Sequence, residues 1–334
     1  MYVAIGLCFV IIAVFVACSK PVVPQTEIHM GTVCSINLYK QGSANLYKLM
    51  FTRIKEIENI FSVNIPTSEI SLINKNAGFK AVPVSPEVIQ VLDKALAIAK
   101  KTEGAFDPTI GPLVSLWGIG SDKARVPSQA EIDRAISLID YTKLKINHAE
   151  KTVYLEEKDM AIDLGGIVKG YAADELVRIA KEHHITQAIF DLGGNIYTYG
   201  AKAHNSPWNI GIKNPEMPAG APVIKIQLIN QSVVTSGAYE RFFEKDNKIY
   251  HHILNTKTVY PHENEVRSST IVSNSSMLAD ALSTSTYLLG AKKAIELLET
   301  EDAEGIIICK DHSIVATSGI TKKMTILNED FQFK

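Results

Sequence analysis

The chain predicts an α+β fold, built as one unit with two lobes. Three observations lead there. Of its 334 residues, 46% are hydrophobic and 21% charged, a globular balance with enough apolar side chain for a sizeable core. Helical and strand-like periodicities follow one another along the chain, and no low-complexity run or linker divides it. At residues 161–174 a short apolar run, paired glycines and an amphipathic helix meet, and the rest is organised around that point.

Taken in order, residues 1–17 carry no charged side chain and end in Phe15-Val16-Ala17 before Cys18. Such a segment looks like a bacterial lipoprotein signal with Cys18 as the acylated N-terminus. The other reading, an uncleaved anchor, falls short of the roughly 20 residues that span a bilayer. Residues 1–17 are therefore expected as signal peptide, 18–27 as tether and 28–334 as a single domain, exported and lipid-anchored. The formal net charge of −2, with no long basic run, gives no case for nucleic acid. Cys34 and Cys309 lie in apolar runs, as a disulfide or as two buried thiols, and no cysteine spacing is of the metal-binding type.

Alternation over residues 30–39 predicts a half-buried strand. Leu46, Leu49, Met50, Ile54 and Ile57 mark one face of a helix over 44–60, and a polar loop with a short helical segment follows to residue 74. Ser85-Pro86-Glu87 reads as cap, first-turn proline and first-turn acid of a helix running towards Gly104. Two prolines over 105–118 predict an ordered loop, and Ser128 with Glu131 makes a capping box for a helix to about residue 139. Residues 144–146 and 153–155 predict a hairpin leading to the central turn.

That turn places Asp163 before Gly165-Gly166 and Lys169 after them. A strand-like run, glycines and a helix start form a phosphate-binding geometry, with N–H groups at the positive end of the helix dipole. The competing reading is a glycine turn that packs a helix on a sheet; neither a dinucleotide fingerprint nor a Walker loop is present. Asp-Leu-Gly-Gly recurs at residues 191–194, which predicts a second sharp turn on a neighbouring strand. Strands over 208–212, 223–229 and 232–235, helices over 276–290 and 291–298, and a closing hairpin over 305–309 and 313–316 complete the chain.

Asp280 and Thr284 stand four apart, hence on one helical face, where a carboxylate and a hydroxyl suit a hard cation. A solvated Asp and a Thr bonded to its own backbone are the alternative. His251-His252 lies in a strand-to-turn stretch, where one imidazole can serve as a general base.

Met30-Gly31-Thr32, Ser68-Glu69-Ile70 through Asn74, Phe106-Asp-Pro-Thr109, Asp163-Leu-Gly-Gly-Ile-Val-Lys-Gly170, Thr235-Ser-Gly-Ala-Tyr-Glu-Arg241, His252-Ile-Leu and Asp280-Ala-Leu-Ser-Thr284 occur together in one order. In this the chain resembles the ApbE-type FAD:protein FMN transferases, over nearly the whole exported body. The resemblance implies an ApbE-like (T-fold-like) arrangement of mixed sheets and helices with a FAD cleft between two lobes. It implies Mg2+-dependent cleavage of the FAD substrate and attachment of FMN to Thr or Ser of acceptor flavoprotein subunits. By the same resemblance Met30, Asn64, Ala105, Phe106, Asp107, Asp163, Lys169 and Leu254 would contact FAD. The Gly166 carbonyl, Asp280 and Thr284, with Ser283, would hold the metal. His252 would lie at the reacting phosphate, with Asp163 as rival base.

Two departures from the family pattern stand out. Its Asp-Pro-x-Thr-Gly is here Asn255-Thr256-Lys257-Thr258-Val259, and Asn64 stands where an aromatic is common. Rival expectations are a FAD pyrophosphatase releasing FMN and AMP, and a non-catalytic FAD-binding lipoprotein.

Overall fold

A computed structural model describes residues 23–217 and 219–334, so the signal-peptide and Cys18 readings lie outside the described residues. Strands β1 (Gln25–His29) and β2 (Thr32–Leu38) pair around Met30 and Gly31, whose φ angles of 51° and 66° give the twist a tight hairpin needs. The sheet thus begins inside the stretch expected as a tether. Helix α1 (Ala44–Phe61) buries Leu46, Met50, Ile54 and Ile57, as their spacing requires, while Leu49 turns outward. Helix α2 (Glu69–Lys75), the short strand β3 (Val82–Pro83) and helix α3 (Pro86–Lys101) follow, the two helices capped by the Ser68 and Ser85 hydroxyls.

The stretch expected as an ordered loop winds into helix α4 (Gly111–Trp117). Pro112 sits in its first turn, where no N–H is needed, and full burial of Leu113 and Trp117 drives it. Helix α5 (Gln129–Ile136) opens on the Ser128–Glu131 capping box, and β4 (Leu144–Asn147) pairs with β5 (Thr152–Leu155). The apolar run before the central glycines is not a strand: a single bridge, Ile110 to Ala161, ties it to the loop ahead of α4. Helix α6 (Val168–Glu182) continues from the glycines.

Strands β6 (Ala188–Leu192) and β7 (Asn195–Tyr199) form the second glycine turn, followed by β8 (Trp208–Ile212), β9 (Ile224–Leu228) and β10 (Gln231–Gly237). A separate hairpin, β11 (Phe242–Lys245) with β12 (Lys248–His251), leads to β13 (Val266–Ser273). Helices α7 (Ser276–Leu289) and α8 (Ala291–Leu298), strands β14 (Ala303–Cys309) and β15 (Ser313–Ala316), helix α9 (Ser318–Thr321), and strands β16 (Met324–Ile326) and β17 (Gln332–Phe333) close the chain. Among the described residues no helix is long and apolar enough to cross a membrane.

A nine-stranded sheet, ordered β1-β2-β6-β7-β10-β13-β14-β15-β17, carries the molecule, antiparallel except for β15 with β17. Its main core packs residues such as Ile36 and Phe190 against Ile54, Leu176 and Leu282 of α1, α6 and α7. A second core joins Val272, Ile306 and Ile308 to the three-stranded sheet of β8, β9 and β16. A smaller lobe has its own core, Leu113, Trp117, Ile132, Leu254 and Val259, beneath α4, α5 and the β11–β12 hairpin. This is the predicted α+β class.

Helix α7 meets β10 and β13 largely through hydroxyls: Ser232 with Ser276 at 2.8 Å, Ser236 with Ser283 at 2.8 Å, Ser269 with Thr286 at 2.6 Å. Directional bonds fix the rotation of a helix more tightly than apolar contact does, and this helix carries the candidate metal ligands. Cys34 and Cys309 are buried free thiols. They lie on β2 and β14, separated by four strands of one sheet, roughly 24 Å at the usual strand spacing. That is far beyond the reach of a disulfide.

Candidate active site

The site forms where the central turn, helix α7, the end of β10 and the mouth of the small lobe converge. Asn74 on α2 holds the approach to the turn, donating to the Ile162 carbonyl at 2.9 Å and accepting the Ile162 N–H at 2.7 Å. Asp163, half-buried, then accepts the Gly165 N–H at 2.8 Å. Burial raises its pKa, against the Gly165 bond and the nearby charges of Lys169 and Arg241. The expected row of free N–H groups forms only in part: Ile167 and Val168 both donate to the Leu164 carbonyl, while those of Gly166 and Lys169 have no acceptor among the described residues.

The turn also offers an oxygen. In a regular helix the Gly170 N–H closes onto the Gly166 carbonyl. Here it donates instead to Asp280 Oδ2 at 2.9 Å, and among the described residues no backbone hydrogen bond runs to Gly166 O. Helices α6 and α7 approach closely enough for this only because residue 170 is glycine: a Cβ there would stand 2.3 Å from the Ser276 carbonyl. Gly166 in turn lies against Phe106 and Thr284, 3.2 Å and 3.4 Å from where its Cβ would be. Asp174, one turn further on α6, takes the N–H groups of Ser276 and Met277 at 2.7 and 3.0 Å and so fixes the start of α7.

The residues expected as ligands lie on packed neighbours: Gly166 sits against Thr284, and the buried Asp280 carboxylate takes the Gly170 N–H one helical turn along. Ser283 is not available in the same way. Its buried hydroxyl donates to the Asp280 carbonyl at 2.8 Å and pairs with Ser236, so it supports the helix. Among the described residues no three His, Cys, Asp or Glu side chains cluster as a metal site. The oxygen set with its lone carboxylate nonetheless fits a hard cation that takes its other ligands from water and substrate phosphates. Lys169 adds a cation, 3.8 Å from Asp280 Oδ1 and 3.2 Å from the Gly165 carbonyl.

His252 is the site-facing member of its pair. Its Nδ1 lies 3.2 Å from the Arg241 carbonyl, which also accepts the His252 N–H at 3.0 Å. A carbonyl only accepts, so Nδ1 carries the proton and Nε2 is left as the basic nitrogen. Burial pushes the imidazole down to about 4, with Arg241, His251 and Lys169 adding to the effect. His251 turns inward instead, edge-on to Tyr287, with Nε2 at the His262 carbonyl.

The remaining expected contacts divide. Met30 is held by Glu58 Oε1 on its N–H at 2.7 Å, at the rim of the main core. Phe106 presents its ring to Gly166, and Ala105 packs beside Ile253 and Tyr287. Asp107 is not free for a ligand: its buried carboxylate takes the Thr109 N–H and O–H and the Tyr141 N–H, holding the loop. The Leu254 side chain belongs to the small-lobe core, so it is a support and not a contact surface. Asn64 is exposed at the turn after α1, and its side chain makes no hydrogen bond among the described residues. Sequence reasoning gave no role to Asn74, Asp174, Ser236 or Arg241, although each lies within a stretch already singled out. A groove of about 520 Å³ beside Arg53, Glu87, Tyr171 and Glu175 contains none of the site residues.

With this geometry in view, comparison with known proteins places the chain. The model of the ApbE family matches residues 30–309. A protein of Treponema pallidum (strain Nichols) named FAD:protein FMN transferase is 34% identical over 325 residues, covering 92% of this chain and 90% of its own length. A Klebsiella pneumoniae (strain 342) protein of the same name is also 34% identical, over 92% of this chain and 95% of that protein. The crystal structure of the ApbE protein from Thermotoga maritima has a TM-score of 0.84 at 31% identity, over 90% of this chain and 99% of that one. The flavin transferase ApbE from Vibrio cholerae has a TM-score of 0.82 at 26% identity, over 90% of this chain and 98% of that one. By the extent of that match the chain belongs to the ApbE family.

Proposed function

We propose that this protein transfers FMN from FAD to a Thr or Ser hydroxyl of an acceptor flavoprotein subunit, releasing AMP. The observation that carries the reading is the Gly166 carbonyl, which has no backbone partner among the described residues because the Gly170 N–H turns to Asp280, on a residue packed against Thr284. Lys169 links the parts: it lies 3.8 Å from Asp280, and its charge is felt at both His252 and Asp163. Relatives named FAD:protein FMN transferase support the same chemistry.

Gly166, Asp280 and Thr284 would hold Mg2+, which supplies neutralisation of the anhydride's negative charge. The protein's own share is positioning. The acceptor oxygen forms a bond to the flavin-side phosphorus, the bond from that phosphorus to the AMP oxygen breaks, and AMP leaves with the electron pair. His252 Nε2 takes the hydroxyl proton. Asp163 holds the turn through Gly165 and remains the alternative base.

Hydrolysis is the second reading. Exposed Asn64 offers no stacking face where an aromatic would cover a ring, so water has easier access to the phosphorus. One experiment separates the two: the protein is given FAD, Mg2+ and an acceptor peptide, and peptide-bound flavin and free FMN are measured together. Transfer is expected, with some FMN release that Asn64→Tyr reduces; neither product would overturn the reading. We also propose export and lipid anchoring through Cys18. Cys18→Ser should then leave an unprocessed precursor by intact mass, and unchanged processing would exclude the anchor.

A further inference from the structure

Arg53, Arg125, Arg134 and Arg178 each pair with a carboxylate. Arg241 and Arg267 have no such partner among the described residues, and of the two it is Arg241 that stands beside the acidic group of the site. Its guanidinium is exposed, and Nη2 donates to the Gly31 carbonyl at 3.3 Å across the mouth between the sheet and the small lobe. Gly120 makes room for it: a Cβ there would stand 3.3 Å from Arg241 Cδ, and one on Gly31 would stand 3.8 Å from Nη2. The cation lies near enough to be felt at both groups, opposing the rise that burial causes at Asp163 and adding to the fall at His252. A guanidinium has five N–H donors in a planar fork, and the single long bond to Gly31 leaves most of them unused.

Charge decides what they take. Asp163 and Asp280 against Lys169 leave the site one negative charge in excess. A divalent cation and a phosphate anhydride dianion cancel each other, so Arg241 is the charge that brings the loaded site to neutrality. Its main-chain carbonyl meanwhile holds His252 at Nδ1.

Resting on the flavin-transfer reading, we infer that Arg241 is an anion-binding residue of this site, whose guanidinium leaves the Gly31 carbonyl to bind the phosphate anhydride of the dinucleotide substrate. The anhydride and the base are then governed by one residue, the first through its side chain and the second through its backbone.

The test compares FAD with riboflavin, which carries no phosphate, by equilibrium binding to the full protein in EDTA, so that metal does not contribute. Arg241→Gln keeps the carbonyl and removes the charge. It should weaken FAD binding roughly 10–100-fold, as loss of a charged hydrogen bond does, and leave riboflavin binding unchanged. The salt dependence of FAD binding should flatten, and Arg241→Lys should fall between the two. Equal loss for both ligands, or a lowered melting temperature that accounts for the loss, would make Arg241 structural and overturn the inference. Unchanged FAD affinity in Arg241→Gln would overturn it alone. A wild-type protein that binds no FAD would overturn the flavin reading and this inference with it.

Discussion

Asn74 makes both backbone hydrogen bonds of Ile162, donating to its carbonyl at 2.9 Å and accepting its N–H at 2.7 Å. A side-chain amide thus stands in for a neighbouring strand, one residue before Asp163. Asn74→Ala leaves two backbone groups without partners, each costing about 1–3 kcal/mol when buried. Because Asn74 is only half-buried, water offsets part of this, and a loss near 2 kcal/mol is expected by urea denaturation. FAD affinity should fall with it. A variant that matches wild type in both would show that the turn holds itself.

Asp280→Asn keeps an oxygen for the Gly170 N–H and removes the only carboxylate of the oxygen set. The fold should survive by circular dichroism, while Mg2+-dependent FAD cleavage drops to background. Asp280→Ala should also lower the melting temperature, since Gly170 then loses its acceptor. Wild-type cleavage by Asp280→Asn would refute the ligand assignment.

His252→Ala should slow transfer by roughly 10²–10⁴-fold, the usual worth of a general base. Because His252 is held at about 4, wild-type kcat/KM should stay level as pH falls through 6.5 and decline only near 4, where Nε2 becomes protonated. His251→Ala should leave that profile in place. An acid limb centred at 6.5 would place the working base elsewhere.

The inward His251 has a consequence for stability. Its folded pKa, about 4, lies below the ordinary imidazole value of 6.5, so the unfolded chain binds the proton more readily. The stability it permits is complete above 6.5 and is lost as pH falls towards 4. His262, Glu263 and Lys310 surround it, and Asp107, Asp163 and Asp174, with raised pKa values, act in the opposite sense. The difference between wild type and His251→Phe, measured at pH 7 and pH 5, isolates the contribution of this imidazole: the variant should lose less on acidification. Equal losses would mean that His251 does not titrate in this way.

Val259 adopts a φ of 59° while only 4% exposed, with Trp117 Nε1 on its carbonyl at 2.9 Å. This is the position at which the family pattern usually has glycine. The left-handed region costs an L-residue about 1–2 kcal/mol, and glycine escapes that cost. Val259→Gly should therefore be no less stable than Val259→Ala, despite removing more. The ordinary order, with glycine about 1 kcal/mol worse, would mean that the turn holds no strain.

Much of this was legible from sequence where a local rule decides the outcome. The caps at Ser85 and Ser128 and the apolar stripe from Leu46 to Ile57 foretell their helices, because capping and periodicity act within a few residues. Helix α4 was hidden by its prolines and is made by the burial of Trp117, a contact with distant residues. Strand β13 was hidden because its Ser-Ser-Thr run looks polar; the Ser269 and Thr270 hydroxyls are partnered by α7 and β10, which sequence alone does not bring near, while Ser268 is buried with no partner among the described residues. In the site, Asp280 and Thr284 follow from helical spacing. The diverted Gly170 N–H depends on how two helices cross, and the burial of Leu254 on a core built from separate elements.

Strand β1 begins at Gln25 and is paired into the large sheet from its first residue. If Cys18 is acylated as we propose, residues 18–24 are all that can separate the lipid from the fold, and so short a chain reaches at most about 25 Å even when fully drawn out. The enzyme would patrol a thin shell above the bilayer and meet acceptors by lateral search. A hydroxyl's height above the membrane would then select it as firmly as its neighbouring residues do, and lengthening this short leash should widen the range of proteins that become yellow.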